Sequence, residues 1–346
     1  MQPNSPWFRE TEVFTGGADG HHTYRIPSLV IANDGTILAF CEGRMDGQRD
    51  FQALYLVLKR STDNGVTWED QQQLVGDGEL TMHNPTALVD RDTGTIWLAF
   101  NIECETTHLI SSVDSGVTWS EPMNITSDVM LPNWTYYNLG PGHGNQLKSG
   151  ALVFPACHAE GMRRDSNNMF SHVIISRDHG HSWSLGGSLP GTTDECELVE
   201  TEDGSLYMAV RGGVRISGKR FCSWSRDQGN SWSELEVIDE LPDPLCQASI
   251  VRFTDRNVHD KNRIIFSNCA SSTRDDFKVR VSYDECKTWP TGKILYPGPA
   301  AYSDLAICSD MTIACLYERG ISRPYDGIRL AQFNIEWLTD GADTLC

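Results

Sequence analysis

No stretch of this 346-residue chain approaches the roughly 18 consecutive apolar residues of a membrane-spanning helix, and its opening, MQPNSPWFRE, lacks an apolar run of signal-peptide length. Positive charge is also scarce. The 28 Lys and Arg stand against 47 Asp and Glu, a formal charge of -19 that repels nucleic-acid phosphates and anionic membrane surfaces. A nucleic-acid partner is therefore not expected, and any anionic ligand would need a local concentration of arginines. HExxH and paired CxxC spacings are missing, so neither a metal nor another cofactor is expected. The 11 cysteines are an odd number scattered singly, which reads as reduced core thiols rather than a disulfide framework. Together with the opening residues this predicts a cytoplasmic protein, although a mature secreted chain with an added Met would read the same. Two triplets, Asn124-Ile125-Thr126 and Asn133-Trp134-Thr135, have the form of glycosylation sequons, a form that also arises by chance.

What is present is a composition 39% hydrophobic and 22% charged with ten Trp, which suits a chain that buries a large core. Composition and charge do not shift along it, and one domain over 1–346 is the expectation. One pattern, SxDxGxTW, recurs five times: Ser61 to Trp68, Ser112 to Trp119, Ser176 to Trp183, Ser225 to Trp232 and Ser282 to Trp289. Its Asp can bond nearby backbone N–H groups, its Gly accepts positive φ and its Trp can lie over adjoining strands, so it reads as a hairpin lock. Cys286 takes the Gly position of the fifth copy, a less permissive turn residue. Between copies lie β-rich runs such as Thr36 to Phe40, Thr95 to Phe100, Ser205 to Val210 and Thr312 to Leu316, several of them after Asp-Gly or Thr-Gly turns. Successive copies are 49 to 64 residues apart, room for four short strands. The prediction is an all-β, six-bladed β-propeller of four-stranded antiparallel sheets.

Such repeats occur in catalytic and non-catalytic propellers alike, so function must be read elsewhere. Tyr24-Arg25-Ile26-Pro27, Arg44 and Asp50 in GRMDGQRD, His83-Asn84-Pro85, Asp194-Glu195-Cys196, Val210-Arg211, Cys246-Gln247, Arg274, Tyr302-Ser303-Asp304-Leu305 and Leu316-Tyr317-Glu318 follow in that order. The set resembles the sialidase superfamily over nearly the whole chain, with features of both bacterial and vertebrate cytosolic members. The resemblance implies an exo-α-sialidase acting on sialylated oligosaccharides, glycoproteins or glycolipids. It implies a triad of Arg25, Arg211 and Arg274 for the sialic acid carboxylate, which planar guanidiniums bind directionally. Arg280 competes for the third place, but its alternation with Val279 and Val281 fits an ordinary strand.

By the same resemblance Tyr302 is the nucleophile, Glu195 its base and Asp50 the acid/base, while Arg44, Asn84 and Gln247 contact substrate and Glu318 braces Arg25. A neutral phenol suits an anomeric carbon that already bears a carboxylate, provided a base removes its proton during attack. Rivals are Glu197 and Glu200 for the base and Asp46 for the acid, and His143 is an additional pocket candidate. A sugar-binding propeller without catalysis would not need Tyr302, Glu195 and Asp50 together. A trans-sialidase would need them all, and few residues follow the last strand, expected near Ile328 to Trp337, so plain hydrolysis is favoured.

Overall fold

The computed structural model describes residues 5–161, 168–212 and 218–345. Nearly all regular structure is antiparallel β, in six sheets with four main strands each. The innermost strands are Thr23–Ile31, Met82–Val89, Trp134–Leu139, Thr193–Glu200, Ser249–Thr254 and Ala300–Ile307, and the sheets are numbered here as blades one to six in that order. Gly142–His143 adds a short parallel rung to Met82–Val89 near the axis. This is the expected six-bladed propeller. Phe8–Thr15 forms the outermost strand of the sixth blade by pairing antiparallel with Gly327–Phe333, so a segment from one end of the chain closes the ring with strands from the other.

The β-rich runs read from sequence are the second strands of their blades: Ile37–Arg44, Ile96–Ile102, Leu206–Gly212 and Ile313–Arg319. The turns before three of them hold Gly35, Gly94 and Gly204 at φ 89, 78 and 83, the left-handed region that glycine enters without strain. The last strand stops at Phe333, short of Trp337, because Asn334 caps a single helical turn, Ile335–Leu338, by accepting from the Trp337 N–H. No helix among the described residues is long and apolar enough to cross a membrane. The ten described cysteines are buried free thiols.

The core is divided among the six interfaces between blades, because each sheet is covered on both faces by its neighbours. Phe14, Tyr24 and Leu330 meet between blades six and one, Phe40, Leu58 and Phe100 between one and two, and Phe154 and Leu88 between two and three. Each repeat contributes its Trp to the interface with the preceding blade: Trp68, Trp119, Trp183, Trp232 and Trp289 each join a different cluster. The remaining interface, between blades five and six, takes Trp337 from the terminal turn instead.

All five repeats close with one bonding scheme. In the first, Ser61 Oγ donates to Asp63 Oδ1 and accepts from the Gly65 N–H, while the Thr67 N–H and hydroxyl donate to the two Asp63 oxygens. The fifth keeps it with Cys286 at φ 68, its N–H donating to Ser282 Oγ at 3.0 Å.

Candidate active site

Four innermost strands break register where a candidate side chain enters the axial mouth. The shifts fall between Arg25 and Ser28, His83 and Thr86, Thr193 and Cys196, and Ala300 and Ser303. In the first two the residue before a proline turns left-handed, Ile26 at φ 61 and Asn84 at φ 51. Positive φ is strained for a β-branched residue, and a bulge of this kind re-aims the neighbouring side chain. Here it turns Arg25 into the cleft.

Arg25 is almost fully buried, and Glu318 meets it from the second strand of blade six, accepting from its Nε at 3.2 Å and Nη2 at 3.4 Å. The same carboxylate accepts from the Ile26 N–H at 2.8 Å and the Tyr302 N–H at 3.2 Å, so it fixes both the bulge and the neighbouring strand. Arg274 donates to Tyr325 Oη at 2.7 Å and to the Leu245 carbonyl at 2.8 Å. Arg211 donates through Nη1 to Glu195 at 2.7 Å and to Tyr302 Oη at 3.1 Å. Burial works against charge on all three guanidiniums, but Glu318 beside Arg25, Glu195 beside Arg211 and the Cys246 thiol beside Arg274 outweigh it, and the arginine pKa values are raised. Three fixed positive charges thus face one cavity despite the chain's net negative charge.

Tyr302 Oη donates to Glu195 Oε1. Burial, then the Glu195 carboxylate, push the phenol well above its usual pKa, against the pull of Arg211, Arg274 and Arg25. Burial also opposes ionisation of Glu195, yet Arg211, the Tyr302 hydrogen bond and Arg274 hold its carboxyl below the usual range. A protonated phenol on an ionised carboxylate is the ground state that a nucleophile and its base require.

Asp50 reaches the same cavity from the loop after Ile37–Arg44, accepting from Arg25 at 3.4 Å and Arg44 at 3.0 Å. Its side chain stays 45% exposed. Asp46 is exposed, its N–H donates to Gln52, and it does not line the cavity. Behind Asp50, Glu42 accepts from Arg44 Nε at 3.0 Å and Nη2 at 2.6 Å and from the Asn84 N–H at 3.0 Å. Burial would raise the Glu42 pKa, but Arg44 and His83 hold it at about 2.

The cavity, about 380 Å³, is lined by Arg25, Arg44, Asp50, Asn84, Glu195, Arg211, Arg274 and Tyr302. Glu318 lies behind it. Gln247 is not among the residues lining the cavity; its amide accepts from the Ser303 N–H at 3.0 Å and donates to the Ser303 carbonyl at 2.9 Å and the Pro141 carbonyl at 3.4 Å. Asn84 lines the wall, with its Nδ2 donating to the Leu139 carbonyl at 2.8 Å. Arg280 bonds Asn268 away from the cavity, and neither Glu197, Glu200 nor His143 lines it.

The sequence gives no role to Tyr325, Glu42 or Asp194, although Asp194 stands in the Asp194-Glu195-Cys196 motif. Tyr325 presents its ring 4.3 Å from the Arg25 guanidinium and sits on a loop with no motif of its own. Glu42 did carry a signal, since it stands two residues before Arg44 on one strand and shares its face. Asp194 lies 3.7 Å from Arg211 Nε. A larger groove, about 980 Å³, runs along Trp224, Trp232 and Val237, but no candidate residue lies in it.

With that geometry in view, the comparisons are specific. Residues 77–315 match the model of the BNR repeat-like domain. The chain is 33% identical to a sialidase from Micromonospora viridifaciens over 96% of this chain and 55% of that protein, so it spans little more than half of that relative. It is 30% identical to an exo-alpha-sialidase from Arthroderma benhamiae, over 93% of this chain and 86% of the fungal one. A Hadza microbial sialidase, Hz136, superposes with a TM-score of 0.86 at 28% identity, over 95% of this chain and 69% of the other.

Proposed function

The chain belongs to the sialidase family, and from that premise we propose that it is an exo-α-sialidase that removes terminal sialic acid from oligosaccharides, glycoproteins or glycolipids with retention of configuration. The observation that carries the reading is the Tyr302–Glu195 hydrogen bond, with Arg211 donating to both residues in a cavity that three arginines share.

In this mechanism Arg25, Arg211 and Arg274 hold the substrate carboxylate through charge-assisted bonds, and Arg44 and Asn84 contact the ring substituents. Tyr302 Oη attacks the anomeric carbon while Glu195 takes its proton. The bond to the leaving oxygen breaks as Asp50 protonates that oxygen. Asp50 then removes a proton from water, whose oxygen attacks the same carbon. The bond to Tyr302 breaks, and Glu195 returns the proton to the phenol. Two displacements preserve configuration. The half-exposed Asp50 leaves water a path to the intermediate, which favours hydrolysis over transfer to a second sugar. The steps call for no cofactor. We take residues 1–346 as one catalytic unit and, on the unpaired thiols, place it in the cytoplasm.

The test is a panel of fluorogenic sialosides with proton NMR of the first sugar released. The α-anomer is expected first. Release of the β-anomer would overturn the double displacement, and no cleavage of any sialoside would overturn the activity.

A further inference from the structure

One layer beneath the mouth, three titratable side chains meet in a buried cluster that the proposed mechanism leaves unused. Asp304 stands two residues beyond Tyr302 on Ala300–Ile307, and Glu197 two beyond Glu195 on Thr193–Glu200. His143 lies between them, its Nδ1 at 2.7 Å from Asp304 and 3.6 Å from Glu197. Asp304 also accepts from Ser249 Oγ at 3.0 Å and from the Leu29 N–H at 2.6 Å. Glu197 accepts from the His143 N–H at 3.3 Å and the Ile250 N–H at 2.5 Å. Strands of blades one, four, five and six are therefore tied together with the Gly142–His143 rung. The fit is close, since a Cβ on Gly142 would lie 1.9 Å from Glu197 Oε1.

We propose that His143, Glu197 and Asp304 are positioning residues that hold the strands of Tyr302 and Glu195 in register for proton transfer. The proposal rests on the reading of that pair as nucleophile and base. Burying two carboxylates and an imidazole is costly beside an apolar core of the same volume, so such a cluster serves specificity of arrangement better than stability. It sits two strand residues, roughly 7 Å, from the pair it would align.

The cluster holds protons that isolated groups would release. Burial and then Asp304 push Glu197 up to about 8 despite His143, whereas His143 is raised to about 9 because the two carboxylates outweigh its burial. The other titratable groups in reach are the Cys196 and Cys315 thiols, both kept protonated by burial. Blade one contributes the Leu29 N–H and blade five the Ser249 hydroxyl and Ile250 N–H, all uncharged. When Glu197 loses its proton in mildly alkaline solution, two carboxylates face the single His143 imidazolium, and the changed balance of attraction and repulsion shifts the strands that carry them.

Two variants and two readouts test this on the full chain. Asp304→Asn is expected to lower kcat about 10- to 100-fold with KM for an aryl sialoside within about threefold, because misalignment acts on the chemical step more than on binding. Wild type is expected to lose kcat above about pH 8, and Glu197→Gln, which cannot lose the proton, should not. The 13Cζ resonance of Tyr302, assigned with Tyr302→Phe, should step near that pH in wild type and not in Glu197→Gln. This readout needs no activity. If wild type cleaves no sialoside yet the step is present and lost in the variant, the enzymatic reading fails and the coupling stands. If Glu197→Gln keeps both the alkaline fall and the tyrosine step, the positioning role is overturned even where Asp304→Asn does not fold.

Discussion

The chemistry turns on which carboxyl faces the leaving group. Asp50 and Asp46 are four residues apart in one loop, but only Asp50 meets Arg25 and Arg44. An acid matters most when the leaving group is poor, since a sugar alkoxide needs protonation and an activated phenolate does not. Asp50→Ala should therefore slow hydrolysis of a natural sialoside far more than that of an aryl sialoside, while Asp46→Ala changes neither rate more than about twofold. Leaving-group sensitivity in Asp46→Ala instead would move the role. Tyr302→Phe should lower kcat by about 1,000-fold or more and leave the urea midpoint nearly unchanged, because the ring still packs and only the nucleophilic oxygen is lost. Wild-type kcat in that variant would remove Tyr302 from the mechanism. At this scale the sequence was readable where a side chain sits in a local motif, as Arg25 does in Tyr24-Arg25-Ile26-Pro27. It could not show that the Gln247 amide bonds the Ser303 and Pro141 backbone, because spacing does not place its partners. Tyr325 carried no signal, since a loop residue is placed by long-range packing.

At the scale of elements, hairpin repeats and β-rich runs were readable because turn residues and alternation are local. The register breaks were not, although both Ile26-Pro27 and Asn84-Pro85 mark one in hindsight: proline removes a ladder N–H there, and the residue before it takes up the bulge. The repeats also show why glycine fills their fifth position. A Cβ at Gly180 would lie 2.4 Å from Trp97 of the preceding blade, with φ at 88 adding strain. Gly180→Ala should cost about 2–4 kcal/mol in urea unfolding. Cys286 occupies the equivalent place with its thiol packed near Tyr207, so Cys286→Gly relieves strain and loses packing in comparable amounts and should stay within about 1 kcal/mol of wild type. A neutral Gly180→Ala would refute close docking of each repeat on the blade before it.

For the whole molecule, the buried histidines confine stability to a pH window. His158 and His172 lie in one aromatic stack in blade three, their Nδ1 atoms 3.0 Å apart, and burial lowers His158 to about 3 and His172 well below its ordinary value. The unfolded chain binds these protons first as pH falls below about 6.5, so each site removes about 1.4 kcal/mol of stability per pH unit in that range. His83 and His143 have the opposite sign. Both are raised to about 9, so their contribution is complete below about 6.5 and is lost as pH rises towards 9. Urea midpoints taken from pH 5 to 9 should peak near neutrality, and His158→Phe should flatten the acid limb alone. An acid limb unchanged in that variant would mean that other groups set it.

The seam of the ring sets an order in time. Among the strands of the ring Phe8–Thr15 is translated first, yet its partner Gly327–Phe333 is translated after all the others, and Glu318, which braces both Arg25 and Tyr302, only shortly before that partner. That first strand must wait through the synthesis of all six blades with its edge unpaired, a slow closure of high sequence separation. A chain truncated anywhere before the sixth blade would display arginines without their tyrosine or their brace, so the reaction centre comes into being only once that blade has been made.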